Sequence, residues 1–96
     1  MTYADLKGAL DLFALPERAT LSDVRERYRR LVRECHPDLH DGREDDRIRE
    51  VTAAYHLLRG YCDTYTFSFS EEEFLNQNPE ERLRQQFAND PLWGGR

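Results

Sequence analysis

Three consecutive residues near the middle of the chain, His36-Pro37-Asp38, could take part in chemistry or binding. A carboxylate at this position could accept a charge-assisted, bidentate bond from an arginine, and the imidazole could donate a hydrogen bond. The proline would fix the backbone direction between them. Cys35 and His40 flank the tripeptide, and together these side chains could be imagined around a metal ion. Structural zinc sites use separated ligand pairs, however, so no metal site is predicted.

Enzymatic chemistry is not predicted for this chain. The sequence contains no glycine-rich phosphate loop, no nucleophile elbow and no complete set of metal ligands. Cys35 and Cys62 are too few for a disulfide framework and lack the paired spacing of zinc ligands. Both are expected to be reduced, small apolar residues. No catalytic residue, cofactor or metal ion is therefore predicted.

Length and composition limit the architecture and the partners. Ninety-six residues allow one small domain with a core built from a few packed helices. The formal net charge of -5 should repel nucleic acid and anionic membrane surfaces, so neither is predicted as a partner. No run approaches the roughly 18 apolar residues that span a bilayer, and the first residues do not resemble a signal peptide. A cytoplasmic protein is expected.

Apolar residues recur at helical spacing in three segments, which predicts helices over 3–14, 21–35 and from about 44 to 60. Side-chain caps are expected from Thr2 with Asp5, Thr20 with Asp23, and Asp41 with Glu44. Proline should end the first two helices, and Gly60 should end the third in a left-handed conformation. The second and third of these helices would form an antiparallel pair joined by a loop at 36–43. The predicted buried stripes are Leu6, Ala9, Leu10 and Phe13; Val24, Tyr28, Leu31, Val32 and Cys35; and Ile48, Val51, Ala54, Tyr55 and Leu58.

The pattern changes after Gly60, and residues 61–96 are predicted to form an aromatic, acidic extension that packs on or flanks the 1–60 core. Alternation over 65–69 suggests a short extended segment. Ser70 with Glu73, and then Asn78-Pro79, should each start a further helix. The favoured interpretation is that the aromatic side chains fold back to enlarge the core. The alternatives are a docking patch for a client or partner, or an acidic segment that covers the basic helix. The aromatic residues are Tyr61, Tyr65, Phe67, Phe69, Phe74, Phe87 and Trp93.

The second predicted helix is basic, with five arginines against three acids between residues 22 and 35. Taken with its surroundings, it resembles the J domain of DnaJ-type co-chaperones over roughly residues 4 to 60. The matching pieces stand in order: Leu12-Phe13-Ala14-Leu15, Ala19-Thr20, Val24-Arg25-Glu26-Arg27-Tyr28-Arg29-Arg30-Leu31, His36-Pro37-Asp38, Ile48 and Ala54-Tyr55-His56-Leu57-Leu58.

This resemblance implies an all-α fold: a J-domain-like helical hairpin with a short N-terminal helix and additional C-terminal helical segments. It also implies binding to a DnaK-type ATPase chaperone and acceleration of its ATP hydrolysis, so that the chemistry belongs to the partner. Asp38 would accept a bidentate bond from a partner arginine, Pro37 would set the backbone direction, and His36 would pack on the loop or donate a hydrogen bond. The positions that match the family's basic recognition face are Arg25, Tyr28, Arg29 and Arg30, whereas Arg27 and Arg33 have no clear assignment.

The sequence also departs from the family pattern. Ala14 stands where glycine is common, and Cys35 stands where an aromatic residue commonly precedes the tripeptide. No glycine/phenylalanine-rich linker, zinc module or substrate-binding domain is evident, which suggests a minimal J protein.

Other interpretations of the same residues stay open. The main alternative function is a J-like adaptor that does not stimulate an ATPase. A helix-turn-helix DNA-binding domain is disfavoured because its turn has about three or four residues, whereas the loop here has about eight. His36-Pro37-Asp38 could be only a helix-ending turn, and the arginines only a solvated surface. Tyr28 and Tyr55 could serve in core packing.

Overall fold

The computed structural model describes residues 1–35 and 44–88, and the described residues form five helices and no strand. In chain order they are α1 (Tyr3–Phe13), α2 (Leu21–Glu34), α3 (Glu44–Asp63), α4 (Glu71–Gln77) and α5 (Pro79–Ala88). The predicted all-α class, with a helical pair preceded by a short helix and followed by further helices, is confirmed. The helices divide into two compact units, Met1–Tyr65 and a second unit that begins at Thr66.

Capping boxes begin the first two helices, as predicted. The Thr2 and Thr20 hydroxyls accept from the backbone N–H groups of Asp5 and Asp23, at 3.1 Å and 3.0 Å. The two carboxylates accept in return from the threonine backbone N–H groups, at 3.1 Å and 2.9 Å. These hydrogen bonds lower the pKa of both aspartates, with the threonine backbone as the largest cause. Each box satisfies donors that would otherwise be orphaned at a helix start.

The core of the first unit lies where α1, α2 and α3 meet. Phe13 and Val51 are fully buried, and Cys35 retains 1% of its exposure. The burial of Cys35 confirms its interpretation as a small apolar residue, and both cysteines of the chain are free. Among the described residues, every member of the buried cluster comes from the predicted stripes: Ala9, Phe13, Val24, Leu31, Cys35, Val51, Ala54 and Leu58.

Helix α1 ends one residue earlier than predicted. Ala14 adopts the left-handed conformation, with φ 53° and ψ 41°, and its backbone N–H donates to the Asp11 carbonyl at 3.1 Å. The following N–H, that of Leu15, reaches back to the Leu10 carbonyl at 3.0 Å. This conformation suits glycine, because a Cβ atom crowds the neighbouring carbonyl. An alanine therefore occupies a strained cap at the point where the chain turns toward α2.

The predicted end of α3 at Gly60 is wrong, since the helix continues to Asp63. The Gly60 carbonyl accepts from the Thr64 backbone N–H at 3.2 Å, as expected for uninterrupted helix. Arg59 and Asp63 add an ion pair of 3.2 Å between residues four apart. A glycine inside a helix costs only about 1 kcal/mol, so the neighbouring helical interactions can override its tendency to end one.

The second unit contains α4 and α5 and buries no residue in either helix. The Ser70 hydroxyl caps α4 by accepting from the Glu73 N–H at 3.1 Å, and α5 begins at Pro79, as predicted. Residues 65–69, the suggested extended segment, belong to neither a helix nor a strand. The described aromatic side chains of 61–93 do not enlarge the core as expected, and Trp93 lies outside the described residues. Their exposed fractions are 41% for Tyr61, 54% for Tyr65, 66% for Phe67, 94% for Phe69, 50% for Phe74 and 49% for Phe87.

Candidate functional site

Helix α2 has one apolar side and one basic side. Val24 and Leu31 point into the core. The opposite side carries Arg25, Arg29 and Arg33, which lie in one row along the helix because residues four apart are neighbours on its surface. Arg30 lies in the adjacent row. All four arginines are exposed, and together they are called here the arginine face.

The guanidinium groups of the arginine face are available for binding. Within residues 1–35 and 44–88, none of the four forms an ion pair or a side-chain hydrogen bond. Glu26 precedes Arg30 by four residues, a favourable spacing, yet the two side chains do not pair. Arginines elsewhere do find partners, such as Arg84, whose Nη2 lies 2.6 Å from Glu81 Oε1. The arginine face thus presents concentrated, solvated positive charge in a chain whose formal net charge is -5.

Arg27 has a different role from its neighbours on α2. Its Nη1 donates to the Phe13 carbonyl at 2.7 Å and approaches the Ala14 carbonyl at 3.4 Å. These carbonyls stand at the end of α1, where backbone acceptors lack helical partners and carry partial negative charge. Arg27 therefore ties α2 to α1 instead of joining the arginine face. Nothing in the local sequence pattern predicts this contact, because it depends on how the two helices pack.

Tyr28 is half-buried and stacks on Tyr55 of α3. The ring centroids are 4.1 Å apart and the planes differ by 13°. Arg59 Nη1 donates to the Tyr55 hydroxyl at 3.4 Å, and this bond is the largest cause of a raised pKa at Arg59. The geometry agrees with core packing for both tyrosines, since the stack joins α2 to α3 beside the arginine face. A contact of Tyr28 with a partner stays a prediction.

The His36-Pro37-Asp38 tripeptide lies outside the described residues. The residue before it, Cys35, is the C-terminal cap of α2, and its N–H donates to the Leu31 carbonyl at 3.1 Å. Cys35 is also buried, so the last described residue before the tripeptide is anchored in the core. Among the predicted site residues, the structure thus places Arg25, Arg29 and Arg30 together on one exposed surface, and Tyr28 at its half-buried border.

Two other kinds of site were considered. In the part of the chain that the structure describes, no three histidine, cysteine, aspartate or glutamate side chains are grouped as metal ligands. The set imagined around Cys35, His36, Asp38 and His40 falls mostly outside that part. None of the helices described is long and apolar enough to cross a membrane.

Curated proteins with related sequences match about half of this chain. A chaperone protein DnaJ from Dictyoglomus thermophilum is 36% identical over 53 residues, which is 54% of this chain and 14% of that protein. The chaperone protein DnaJ of Tropheryma whipplei is 41% identical over 54 residues, or 56% of this chain and 14% of that protein. The match to the Thermotoga neapolitana chaperone protein DnaJ is 36% identical over 55 residues, and it covers 54% of this chain and 15% of that protein. The chain thus corresponds to a small part of these relatives.

A comparison with protein-family models gives the same result. No solved structure matches the chain. The family model of the DnaJ domain matches residues 10–61, which are more than half of the chain. The matched region includes the arginine face, the tripeptide and α3 up to Tyr61. The chain therefore belongs to the DnaJ domain family.

Proposed function

We propose that this protein is a co-chaperone that binds a DnaK-type (heat shock protein 70 family) chaperone and stimulates its ATP hydrolysis. The observation that carries the proposal is the arginine face, four exposed and available guanidinium groups on the helix that leads directly into His36-Pro37-Asp38. The family match includes both elements, and the relatives are named chaperone protein DnaJ. The proposed binding residues are Arg25, Tyr28, Arg29, Arg30, His36, Pro37 and Asp38.

The arginine face supplies attraction to an acidic surface on the chaperone. Clustered charge raises association rates and fixes the orientation of docking more than it adds raw affinity. The scaffold around the face is rigid, because Arg27 holds α2 to α1 and the Tyr28–Tyr55 stack holds α2 to α3. The backbone of α2 then incurs little ordering cost on binding. The proposal therefore includes binding that weakens as salt increases.

The tripeptide changes the ATPase activity of the chaperone. The Asp38 carboxylate accepts a bidentate bond from a partner arginine that otherwise holds the ATPase in a less active state. Pro37 fixes the backbone on either side, so His36 and Asp38 project at set angles. His36 packs on the loop or donates to the partner. ATP hydrolysis itself takes place in the chaperone, so this chain acts without catalytic residues, cofactor or metal of its own.

The proposal extends to the wider setting of the protein. The proposed location is the cytoplasm. Nucleic-acid and membrane partners are not proposed, because the net negative charge opposes binding to both kinds of anionic surface. The exposed aromatic residues of the second unit provide a surface for a client or target protein, as exposed apolar groups commonly do.

A single-turnover ATPase assay tests the proposal. The chaperone is loaded with labelled ATP, and hydrolysis is followed with wild-type protein, His36→Gln or Asp38→Asn, each shown to be folded by circular dichroism. The expected result is stimulation by the wild type, loss of stimulation with both variants, and weakening by added salt. Binding without stimulation, with no effect of either substitution, would instead establish the adaptor function.

A further inference from the structure

The second unit presents exposed apolar side chains next to acidic ones. Phe74 of α4 and Leu83 of α5 each keep about half of their exposure, and Phe69, just before α4, is almost fully exposed. Glu71 precedes Phe74 by three residues, and Glu80 precedes Leu83 by the same spacing. Because residues three apart are neighbours on a helix surface, each helix carries a glutamate beside its exposed apolar side chain.

These two glutamates are available to a ligand. Among the residues that the structure describes, neither Glu71 nor Glu80 takes part in an ion pair or a side-chain hydrogen bond. Glu81 provides the contrast, because its Oε1 lies 2.6 Å from Arg84 Nη2. The carboxylates beside Phe74 and Leu83 are therefore the ones left to pair with a cation from outside.

The charge of this unit selects the kind of partner. Residues 66–88 contain five glutamates and two arginines, a formal charge of -3. A second copy of the same surface, a nucleic acid or an anionic membrane would bring like charges together, which opposes binding. Lysine and arginine side chains are instead attracted by the carboxylates, and they also bind favourably over the faces of phenylalanine rings.

The lack of burial in α4 and α5 requires that the partner also be apolar. The two helices contact each other within one compact unit, yet they have 7 and 10 residues and bury none of them. Isolated helices shorter than about 12–15 residues are marginal in water. A ligand that covers Phe74 and Leu83 with apolar side chains would therefore stabilise both helices as it binds.

We propose that the second unit binds client segments that combine apolar side chains with lysine or arginine. The apolar side chains of the client pack on Phe69, Phe74 and Leu83, and its cations pair with Glu71 and Glu80. This inference rests on the proposed function, in which the second unit provides the client surface, and it adds the chemical class of the client.

A purely structural role for the two glutamates would have a different signature. Acidic residues in the first turn of a helix interact favourably with the helix dipole. Loss of that interaction would reduce the helix content measured by circular dichroism. It would not change the preference of the protein between basic and acidic ligands.

The test measures binding of the full chain to two fluorescent peptides by anisotropy. The peptides share one apolar core of leucine and phenylalanine, which is flanked by lysines in one peptide and by glutamates in the other. At low salt, the wild type is expected to bind the lysine-flanked peptide about tenfold more tightly. This preference should shrink at about 1 M salt, where the Debye length is about 3 Å.

Two double variants separate the charged and apolar parts of the surface. Glu71→Gln with Glu80→Gln should remove most of the preference for the lysine-flanked peptide, at unchanged helix content. Phe74→Ala with Leu83→Ala should weaken binding of both peptides about tenfold. The matched controls are Glu50→Gln, an exposed acid of α3, and Tyr3→Ala, an exposed aromatic residue of α1, and both should bind like the wild type.

ATPase stimulation, measured in parallel, separates this inference from the proposed function. If the wild type stimulates the chaperone but binds neither peptide, or binds both equally, the client class is overturned and the co-chaperone function stands. Selective peptide binding without stimulation would overturn the proposed function and support the binding preference. Self-association of the wild type in sedimentation velocity, abolished by Phe74→Ala with Leu83→Ala, would overturn the inference in favour of a second copy of the chain.

Discussion

Replacement of Ala14 by glycine should make the protein more stable. Ala14 holds the left-handed conformation at the end of α1, with φ 53°. This conformation costs a residue with a Cβ atom about 1–2 kcal/mol. Glycine relieves that cost, and it retains the backbone N–H that bonds the Asp11 carbonyl. The exposed methyl group that is lost makes little contribution to the core.

The expected gain in the free energy of unfolding is the strain energy that glycine relieves minus the stability lost because glycine has more conformational freedom in the unfolded chain. That freedom costs about 0.4–1 kcal/mol. With mid-range values for both quantities, the net effect of Ala14→Gly on the free energy of unfolding is about +0.8 kcal/mol. For a domain of this size, it corresponds to an increase of about 3–6 °C in melting temperature. Urea denaturation and thermal melting, both followed by circular dichroism, measure the two quantities.

A matched control comes from Ala53, which is exposed in the interior of α3. Ala53→Gly should lower the free energy of unfolding by about 1 kcal/mol, because glycine is a poor helix former. The two identical substitutions are thus expected to have opposite signs. If Ala14→Gly destabilised the protein as much as Ala53→Gly, the strained cap at the end of α1 would be refuted.

Three further predictions concern contacts that hold α2 in place. Arg27→Ala removes the hydrogen bond to the Phe13 carbonyl and should lower the free energy of unfolding by about 1–2 kcal/mol, measured by urea denaturation. If Arg25→Ala lowered it by as much, the hydrogen bond of Arg27 would contribute nothing to stability. A double-mutant cycle with Tyr28→Leu and Tyr55→Leu should give a coupling of about 0.5–1.5 kcal/mol, and additive effects would contradict the stack. Asp23→Ala should destabilise the protein at pH 7, because hydrogen bonds from Thr20 lower the pKa of the folded-state carboxyl below its ordinary 3.8. The Asp23 carboxylate stabilises the fold above its unfolded-state pKa, and this stabilisation is lost as the pH falls through the folded-state pKa. The difference in the free energy of unfolding between variant and wild type should therefore close below pH 3.8. A difference that stayed constant across the pH range would contradict a stabilising role of the ionised carboxylate.

Sequence reasoning located the elements whose signals are local. Capping pairs such as Thr20 with Asp23 lie three residues apart, and their geometry follows from any helix that starts there. The buried stripes follow from helical periodicity, so Val51 and Leu58 could be assigned to the core before the packing was known. The exposed position of Arg25, Arg29 and Arg30 follows from the same periodicity, because these residues lie opposite the apolar stripe.

Features that depend on packing between helices could not be predicted in this way. The contact of Arg27 with the end of α1 joins residues 14 apart in the chain, and no local pattern encodes it. The end of α3 was misplaced because Gly60 was interpreted as a stop, whereas the helix on both sides of it continues. The aromatic residues of 61–87 were expected in the core, yet Phe74 of α4, Phe87 of α5 and the preceding Phe67 and Phe69 are all exposed. Burial of an aromatic side chain needs a facing surface, which composition alone cannot supply.

The surface that contacts the chaperone can be mapped directly by nuclear magnetic resonance. The measurement is a titration of uniformly ¹⁵N-labelled protein with unlabelled DnaK-type chaperone in the ATP state, followed through backbone amide signals. Shifts and broadening are predicted for residues 25–38, including Arg29, Arg33 and Asp38. Changes confined to residues 66–88, with the α2 signals unaffected, would contradict the role assigned to the arginine face and the tripeptide.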